Sequence, residues 1–281
     1  MSKMLVTGGA GFIGSNLCEE LFKLGHEVWS IDNYSTGSKK NHIKGVEYIK
    51  ASTHDIDKLP FTPNYIFHLG EYSRVEQSFE DIKTVWDYNM NGTFAVLEFT
   101  RKTGAKLIYA GSSTKFGDIG PNSSPYAFTK STNTQLVQNY ADWYGIEYAI
   151  TYFYNVYGKR EIATGKYATV IAKFLDMHKK GQTLTVTSPG TQQRNFTHVD
   201  DIVSGLILVG EKGYGDDYAI GNPRAYSVLE IAQMIGGEIE MLPEKKGNRM
   251  GAMIASGKTR SLGWEPKKNI EDYINEMRGK K

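Results

Sequence analysis

Thr7-Gly8-Gly9-Ala10-Gly11-Phe12-Ile13-Gly14 follows a short β-favouring run, residues 4–7, and opens an amphipathic stretch, residues 11–24. Strand, glycine turn and helix in that order give each glycine a physical task. Gly8 serves a tight turn, Gly11 lets a ligand approach the main chain, and Gly14 lets helix and strand pack closely. The helix start adds unpaired N–H groups and the positive end of its dipole, which suit a pyrophosphate. A glycine-rich turn alone is common, but at the first strand–helix junction it predicts dinucleotide binding. Asp32, 18 residues beyond Gly14, ends the next strand, residues 27–31. A carboxylate there accepts both ribose hydroxyls and repels a 2′-phosphate, so NAD is favoured over NADP. Lys39 and Lys40, the nearest basic residues, lie a few positions on.

Outward from this turn, short apolar runs at 46–49, 65–68, 106–110 and 147–151 alternate with helical patterns near 79–102 and 123–143. That rhythm predicts βαβ units, hence an α/β fold with a Rossmann-type, doubly wound parallel sheet. After Gly158 the rhythm changes. Helices are expected at 167–180, 199–211 and 227–235, the last with Ser227 and Glu230 at capping-box spacing, and strands at 183–187 and 217–220. The C-terminal stretch reads as basic and short-helical. The expected organisation is a dinucleotide-binding domain of residues 1–165 plus about 197–221. A smaller α/β substrate-binding lobe takes about 166–196 plus 222–281.

Composition narrows the function classes. The chain has 281 residues, 40% hydrophobic and 23% charged, with a net charge of +2. That balance suits a globular fold and is too weak to argue for nucleic acid or an acidic membrane surface. No apolar run approaches the roughly 20 residues of a membrane span, and no signal peptide precedes the first strand, so a cytoplasmic protein is expected. The single cysteine, Cys18, falls in an apolar helical pattern and reads as packing. The six histidines show no metal-ligand spacing, so no metal is expected; His68 and His198 read as structural. Asp200 and Asp201 read as helix N-terminal residues.

Gly111-Ser112-Ser113-Thr114 ends the strand at 106–110, and Pro125-Tyr126-Ala127-Phe128-Thr129-Lys130 follows. On a helix, Tyr126 and Lys130 share one face. A phenol with pKa ~10 is a poor base at neutral pH, and an adjacent cation favours its phenolate. Tyr126 can then take a proton from a sugar hydroxyl while hydride leaves the same carbon, with a hydroxyl such as Ser112 orienting the alcohol. With 18 tyrosines the Tyr-x-x-x-Lys spacing alone means little. Its position downstream of the dinucleotide turn is what gives it meaning.

Taken together, the chain resembles the extended short-chain dehydrogenase/reductases of the NAD-dependent epimerase/dehydratase family almost end to end. The carrying motifs are Thr7 to Gly14, Asp32-Asn33, His68-Leu69-Gly70, Asn89-x-x-Gly92-Thr93 and Tyr126 to Lys130. Asn155-Val156-Tyr157-Gly158, Arg194-Asn195-Phe196-Thr197-His198-Val199-Asp200-Asp201 and Leu262-Gly263-Trp264-Glu265-Pro266 complete them. The resemblance implies a Rossmann fold, a tightly held NAD, a nucleoside-diphosphate sugar (a UDP-sugar favoured) and a homodimer built on the 79–102 and Tyr126 helices. It implies catalytic roles for Ser112, Tyr126 and Lys130. It sets NAD against Gly8, Gly11, Phe12, Ile13, Gly14, Asp32, Asn33, Ser52, Thr53, Leu69, Gly70, Asn89, Tyr126 and Lys130. Ser113, Asn155, Arg194, Lys245 and Arg249 fall to the substrate.

Departures from the family pattern sharpen the reading. Dehydratases carry Asp-Glu where this chain has Ser113 and Thr114, and hydroxyls cannot perform that elimination. The segment between Gly117 and Tyr126 is short, which trims a loop beside the sugar. Ser52 stands where an acid often recognises adenine. Glu71 replaces a small residue; it could touch a substrate hydroxyl, touch the cofactor or face solvent. Lys245 replaces an expected arginine and cannot reproduce its fork, a task Arg249 could take over. The leading expectation is C4 epimerisation of a UDP-sugar through a 4-keto intermediate. The alternative is a nucleotide-sugar dehydrogenase or keto-reductase with net cofactor turnover. A silent dinucleotide sensor is disfavoured by the intact Tyr126/Lys130 pair.

Overall fold

The computed structural model describes residues 1–116, 120, 122–244 and 257–279. Seven strands form a parallel sheet: β1 (Lys3–Thr7), β2 (Glu27–Asp32), β3 (Glu47–Lys50), β4 (Tyr65–His68), β5 (Lys106–Ser112), β6 (Tyr148–Phe153) and, after four shorter strands, β11 (Gly215–Ile220). Their order across the sheet is β11-β6-β5-β4-β1-β2-β3, every neighbour parallel. From β1 the chain winds outward to β3, then crosses back to β4 on the other side. That reversal between β1 and β4 opens a crevice at their carboxyl ends, where open α/β sheets bind ligands.

The helices are α1 (Phe12–Lys23), α2 (Ile82–Val85), α3 (Gly92–Thr103), α4 (Pro125–Tyr144), α5 (Val170–Lys179), α6 (Val199–Lys212), α7 (Val228–Ile235), α8 (Lys258–Ser261) and α9 (Ile270–Gly279). Successive strand residues point to opposite faces of the sheet. Leu5, Ile66 and Leu107 join a core with Val96 and Leu97 of α3 and Val137 and Tyr140 of α4. Their neighbours Val6, Phe67 and Ile108 join another core with Leu17 and Leu21 of α1 and Val203 and Leu206 of α6. Continuous apolar strands buried on both faces are what a doubly wound sheet demands.

Four shorter strands, β7 (Val156–Tyr157), β8 (Leu184–Thr187), β9 (Gln193–Asn195) and β10 (Thr197–His198), precede β11; β12 (Ala225–Ser227) and β13 (Ile239–Leu242) follow. They pair as β10-β7, β12-β9 and β13-β8. A third core gathers Ile171 and Phe174 of α5, Leu184 and Val186 of β8, Ile231 and Ile235 of α7 and Ile270 and Ile274 of α9. Ser227 caps α7 through the expected reciprocal box with Glu230. Asp200 and Asp201 do lie in the first turn of α6. Asp201 also accepts the Lys267 and Lys268 N–H groups at 2.9 and 3.0 Å, while Trp264 Nε1 donates to its carbonyl at 3.0 Å. The Leu262–Pro266 motif therefore docks the C-terminal segment onto α6.

The helix expected over 79–102 is broken. A 3₁₀ turn (Glu76–Phe79), α2 and a π-helical stretch (Trp86–Asn91) precede α3. Asn133 of α4 explains the wide turn: its Nδ2 donates to the Asn89 carbonyl at 2.8 Å, an outside side chain entering the helical ladder.

Candidate active site

The glycine turn is built as its spacing required. Gly8 has φ +73°, and a Cβ on it would meet Gly70 Cα at 2.9 Å. A Cβ on Gly14 would lie 2.2 Å from the Gly8 carbonyl oxygen. Thr7 joins the two strand ends: its Oγ1 accepts from Leu69 and Gly70 N–H at 3.1 and 2.9 Å and lies 2.7 Å from His68 Nδ1. Gly11 caps α1 without a side chain, which leaves first-turn N–H groups for a phosphate. The Asp32 carboxylate is fixed by Ala10 N–H at 2.9 Å and Tyr34 N–H at 2.7 Å, one per oxygen, with lone pairs left over for a ribose. Main chain that no Cβ could approach, an open helix N-terminus and this carboxylate fit an NAD.

From this turn a cavity of about 820 Å³ runs along the carboxyl ends of the strands. Gly8, Gly11, Phe12, Ile13, Gly14, Asp32, Asn33 and Thr53 line one end, and Leu69, Gly70, Tyr126 and Lys130 its middle. Asn155 and Arg194 reach it from the far side. Asn155 takes the left-handed φ of +35° and donates through Nδ2 to the Asn195 carbonyl at 3.3 Å.

Four expected residues are not part of the cavity wall. The Ser52 hydroxyl caps a 3₁₀ turn and bonds His54 Nδ1 at 2.6 Å. Asn89 is buried behind the site, its Oδ1 accepting from Tyr72 N–H at 2.7 Å and its Nδ2 donating to Thr129 Oγ1 at 3.0 Å. Ser112 ends β5 with its Oγ 2.8 Å from Thr114 Oγ1, and it also accepts Thr114 N–H at 3.3 Å. That local turn takes up the hydroxyl expected to orient a sugar alcohol. Ser113 begins the following 3₁₀ turn. Lys245 and Arg249 lie outside the described residues.

Helix α4 presents Tyr126 and Lys130 one turn apart. Ser124 caps it by accepting Ala127 N–H at 3.1 Å, and Pro125 supplies a preset first-turn φ. Lys130 is not free. Its buried ammonium binds the Glu71 carboxylate and the Ala110 carbonyl, and it stands 4.5 Å from the Tyr109 ring centroid. Glu71 Oε1 accepts from Thr93 Oγ1 at 2.8 Å, Asn133 Nδ2 at 2.9 Å and Tyr109 OH at 3.2 Å. Of the three settings considered for Glu71, facing solvent does not hold: its side chain is buried as the counter-ion of Lys130 and lines the cavity. Burial pushes its carboxyl up, but the Lys130 ammonium and the surrounding donors outweigh that and hold it below the usual carboxylate value. His68, within bonding distance of Thr7 and Thr93, is lowered to about 4 by burial and stays neutral.

Sequence reasoning passed over two further wall residues. Arg74 follows Glu71 by three positions, and Glu161 follows Gly158 by three. Burial pushes the Glu161 carboxyl up to about 7, although Gly158 N–H (3.1 Å) and Thr169 donate to it. Their only sequence signal was a charged residue just beyond a recognised motif. Among the described residues, no cluster of three or more His, Cys, Asp or Glu could hold a metal ion, and no helix is long and apolar enough to cross a membrane.

A doubly wound parallel sheet whose switch point carries a glycine turn, a carboxylate at the end of the second strand and a Tyr/Lys helix defines a Rossmann-type, dinucleotide-binding enzyme. The model of the NAD dependent epimerase/dehydratase family matches residues 4–221, and the chain belongs to that family. Its cofactor is NAD. A putative UDP-glucose 4-epimerase of Methanocaldococcus jannaschii is 31% identical, with 98% of this chain and 96% of that protein covered. UDP-glucuronic acid decarboxylase 1 of Danio rerio is also 31% identical, covering 97% of this chain and 71% of that protein. Among solved structures, UDP-glucose 4-epimerase of Thermotoga maritima with UDP-glucose superposes with a TM-score of 0.92 at 28% identity, covering 98% of this chain and 97% of that one. The Thermus thermophilus UDP-glucose 4-epimerase complex with NAD gives 0.90 at 26%, covering 99% and 100%. The chain is thus an enzyme of the NAD-dependent epimerase/dehydratase family, whose relatives here are named as UDP-sugar epimerases and decarboxylases.

Proposed function

We propose that the protein inverts C4 of a UDP-sugar by transient oxidation and re-reduction. The observation that carries this is the shared cavity in which Tyr126 and Lys130 stand between the glycine turn and the wall of Asn155 and Arg194. The resemblance to 4-epimerases that cover the chain almost end to end supports it. Bound NAD supplies a hydride acceptor and donor. The Tyr126 phenolate takes the proton from the sugar O4, becoming the phenol, and returns it after the sugar has turned. Lys130, held by Glu71 one helical turn from Tyr126, supplies the positive charge that favours that phenolate. Ser112 exchanges its bond to Thr114 for one to O4. Asn155 and Arg194 hold the diphosphate while either sugar face meets the nicotinamide, with Lys245 and Arg249 assigned to the same task.

The same proposal includes the division into a NAD-binding domain and a smaller sugar-binding lobe, a cytoplasmic location and a homodimer. Exposed Phe79, Ile82, Trp86 and Phe94 beside exposed Phe128 of α4, with Trp86 and Phe128 stacked at 6.5 Å, support the dimer face. The test is incubation with UDP-glucose, UDP-galactose and their N-acetyl and uronic counterparts without added cofactor, followed by NMR. C4 interconversion is expected. Turnover only with stoichiometric change in added NAD or NADH would make it a net oxidoreductase. Release of CO₂ from a uronic substrate would make it a decarboxylase.

A further inference from the structure

The cavity wall that begins at Gly70 and faces Tyr126 carries two cations, and they are treated differently. Lys166 is paired with Asp81 at 2.8 Å. Among the described residues, Arg74 has only neutral hydrogen-bond partners: its guanidinium donates to the Tyr167 carbonyl at 2.6 Å and to the Ser73 carbonyl at 3.1 Å, with a longer 3.4 Å contact to Ser73 Oγ. Its Nε is buried and has no hydrogen-bond partner. Among the described residues no carboxylate lies within 4.0 Å of it. Glu161, another acid of the cavity wall, favours the Arg74 charge from a distance but has its oxygens hydrogen-bonded by Gly158 and Thr169.

A half-buried guanidinium without a counter-ion is expensive to maintain, and every buried N–H left over adds to the cost. Its planar fork matches a carboxylate better than any neutral sugar group. Burial acts against the charge of Arg74. Arg74 lines the same cavity as Tyr126 and is anchored there on the Tyr167 carbonyl.

We infer that Arg74 is the recognition site for a carboxylate on the sugar beside the reacting carbon, so that the substrates are nucleoside-diphosphate uronic acids. This rests on the nucleotide-sugar reading above and narrows it. A carboxylate at C6 is the substituent that comes close to O4 without blocking it, and Arg74 would hold it through charge-assisted hydrogen bonds.

The experiment measures calorimetric binding of UDP, UDP-glucose, UDP-glucuronate and the methyl ester of UDP-glucuronate to the full-length, NAD-loaded protein. UDP-glucuronate is expected to bind about tenfold to a hundredfold more tightly than UDP-glucose, the worth of a hydrogen bond to a charged group. Esterification is expected to erase that preference with no change to the protein. Arg74→Gln should bring the ratio of the two affinities near one, and Arg74→Lys should leave it between. Equal binding of the acidic and neutral sugars by the wild type, or a preference that survives both esterification and Arg74→Gln, would overturn the inference. So would an equal loss of UDP affinity in Arg74→Gln, which would give the guanidinium to the diphosphate. Failure of UDP and of every sugar nucleotide to bind would instead remove the nucleotide-sugar reading, and the inference with it.

Discussion

At one end of the cavity the surface offered to a ligand is main chain. The turn from Gly8 to Gly14 closes on itself so tightly that a Cβ at either glycine would strike backbone atoms. At the other end, beyond Gly70, the surface is made of side chains: Arg74, Tyr126, Glu161 and Arg194. The first wall constrains residue type, because its shape is the fold itself. The second can change charge and reach while every strand stays where it is. A family that keeps one cofactor and varies its sugars needs that asymmetry.

The comparison breaks most sharply at Tyr126. Tyr126→Phe alters one atom of the side-chain wall, so turnover should fall by about 10²–10⁴-fold. NAD retention and the unfolding midpoint should stay put. A variant that keeps near-normal turnover would remove the tyrosine from the chemistry.

Glu71 sharpens the contrast, because it lies under the side-chain wall yet belongs to the packed interior. Glu71→Ala leaves the Lys130 ammonium buried with only the Ala110 carbonyl, which should cost about 3–5 kcal/mol of stability. Glu71→Ala combined with Lys130→Met should recover much of that loss in urea unfolding without recovering turnover. Full additivity of the two changes would mean that the pair is not coupled.

Gly14→Ala attacks the main-chain wall. With its new methyl 2.2 Å from the Gly8 oxygen, the turn must open, at a cost of about 1–3 kcal/mol. Here stability and NAD affinity should fall together, which calorimetry with NAD and a thermal melt would register. A loss of one without the other would contradict the identity of fold and binding surface at this end.

The smallest effect concerns pH. Glu161, raised to about 7 by burial, contributes stability that is full below its ordinary value of 4.5 and lost as pH rises through 7. His68, lowered to about 4 by burial, has the opposite sign: its contribution is full above 6.5 and lost as pH falls through 4. Between pH 4.5 and 6.5 the two slopes oppose. Glu161→Gln should expose the histidine slope, with unfolding free energy falling by up to about 1.4 kcal/mol per pH unit on acidification. An unaltered profile would show that Glu161 ionises normally.

The main-chain wall was legible in the sequence because glycine spacing and strand alternation are local rules. Gly8, Gly11, Gly14 and Asp32 could be assigned without knowing what else would come near. The long helix over 79–102 failed for a tertiary reason: Asn133, more than thirty residues beyond the break, reaches the Asn89 carbonyl. The strands β7, β9, β10 and β12 have two or three residues each, too few to show a period. Ser112 and Ser52 carry hydroxyls suited to a ligand, yet short turns take them up. Glu71 could not be settled from sequence because its partners Lys130, Thr93, Tyr109 and Asn133 come from three separate segments.

Cys18, the one cysteine of the chain, is fully buried on α1, and burial pushes its thiol far up. A native sulfhydryl so hidden and so rarely ionised is nearly invisible to maleimides. The wild-type chain is therefore a clean background for site-directed labelling. A cysteine pair at exposed Leu24 and Met241 would carry two spin labels, one at the C-terminal end of α1 and one on the strand that pairs with β8. The distance between those labels, read with and without ligand, would report whether these two elements move relative to each other.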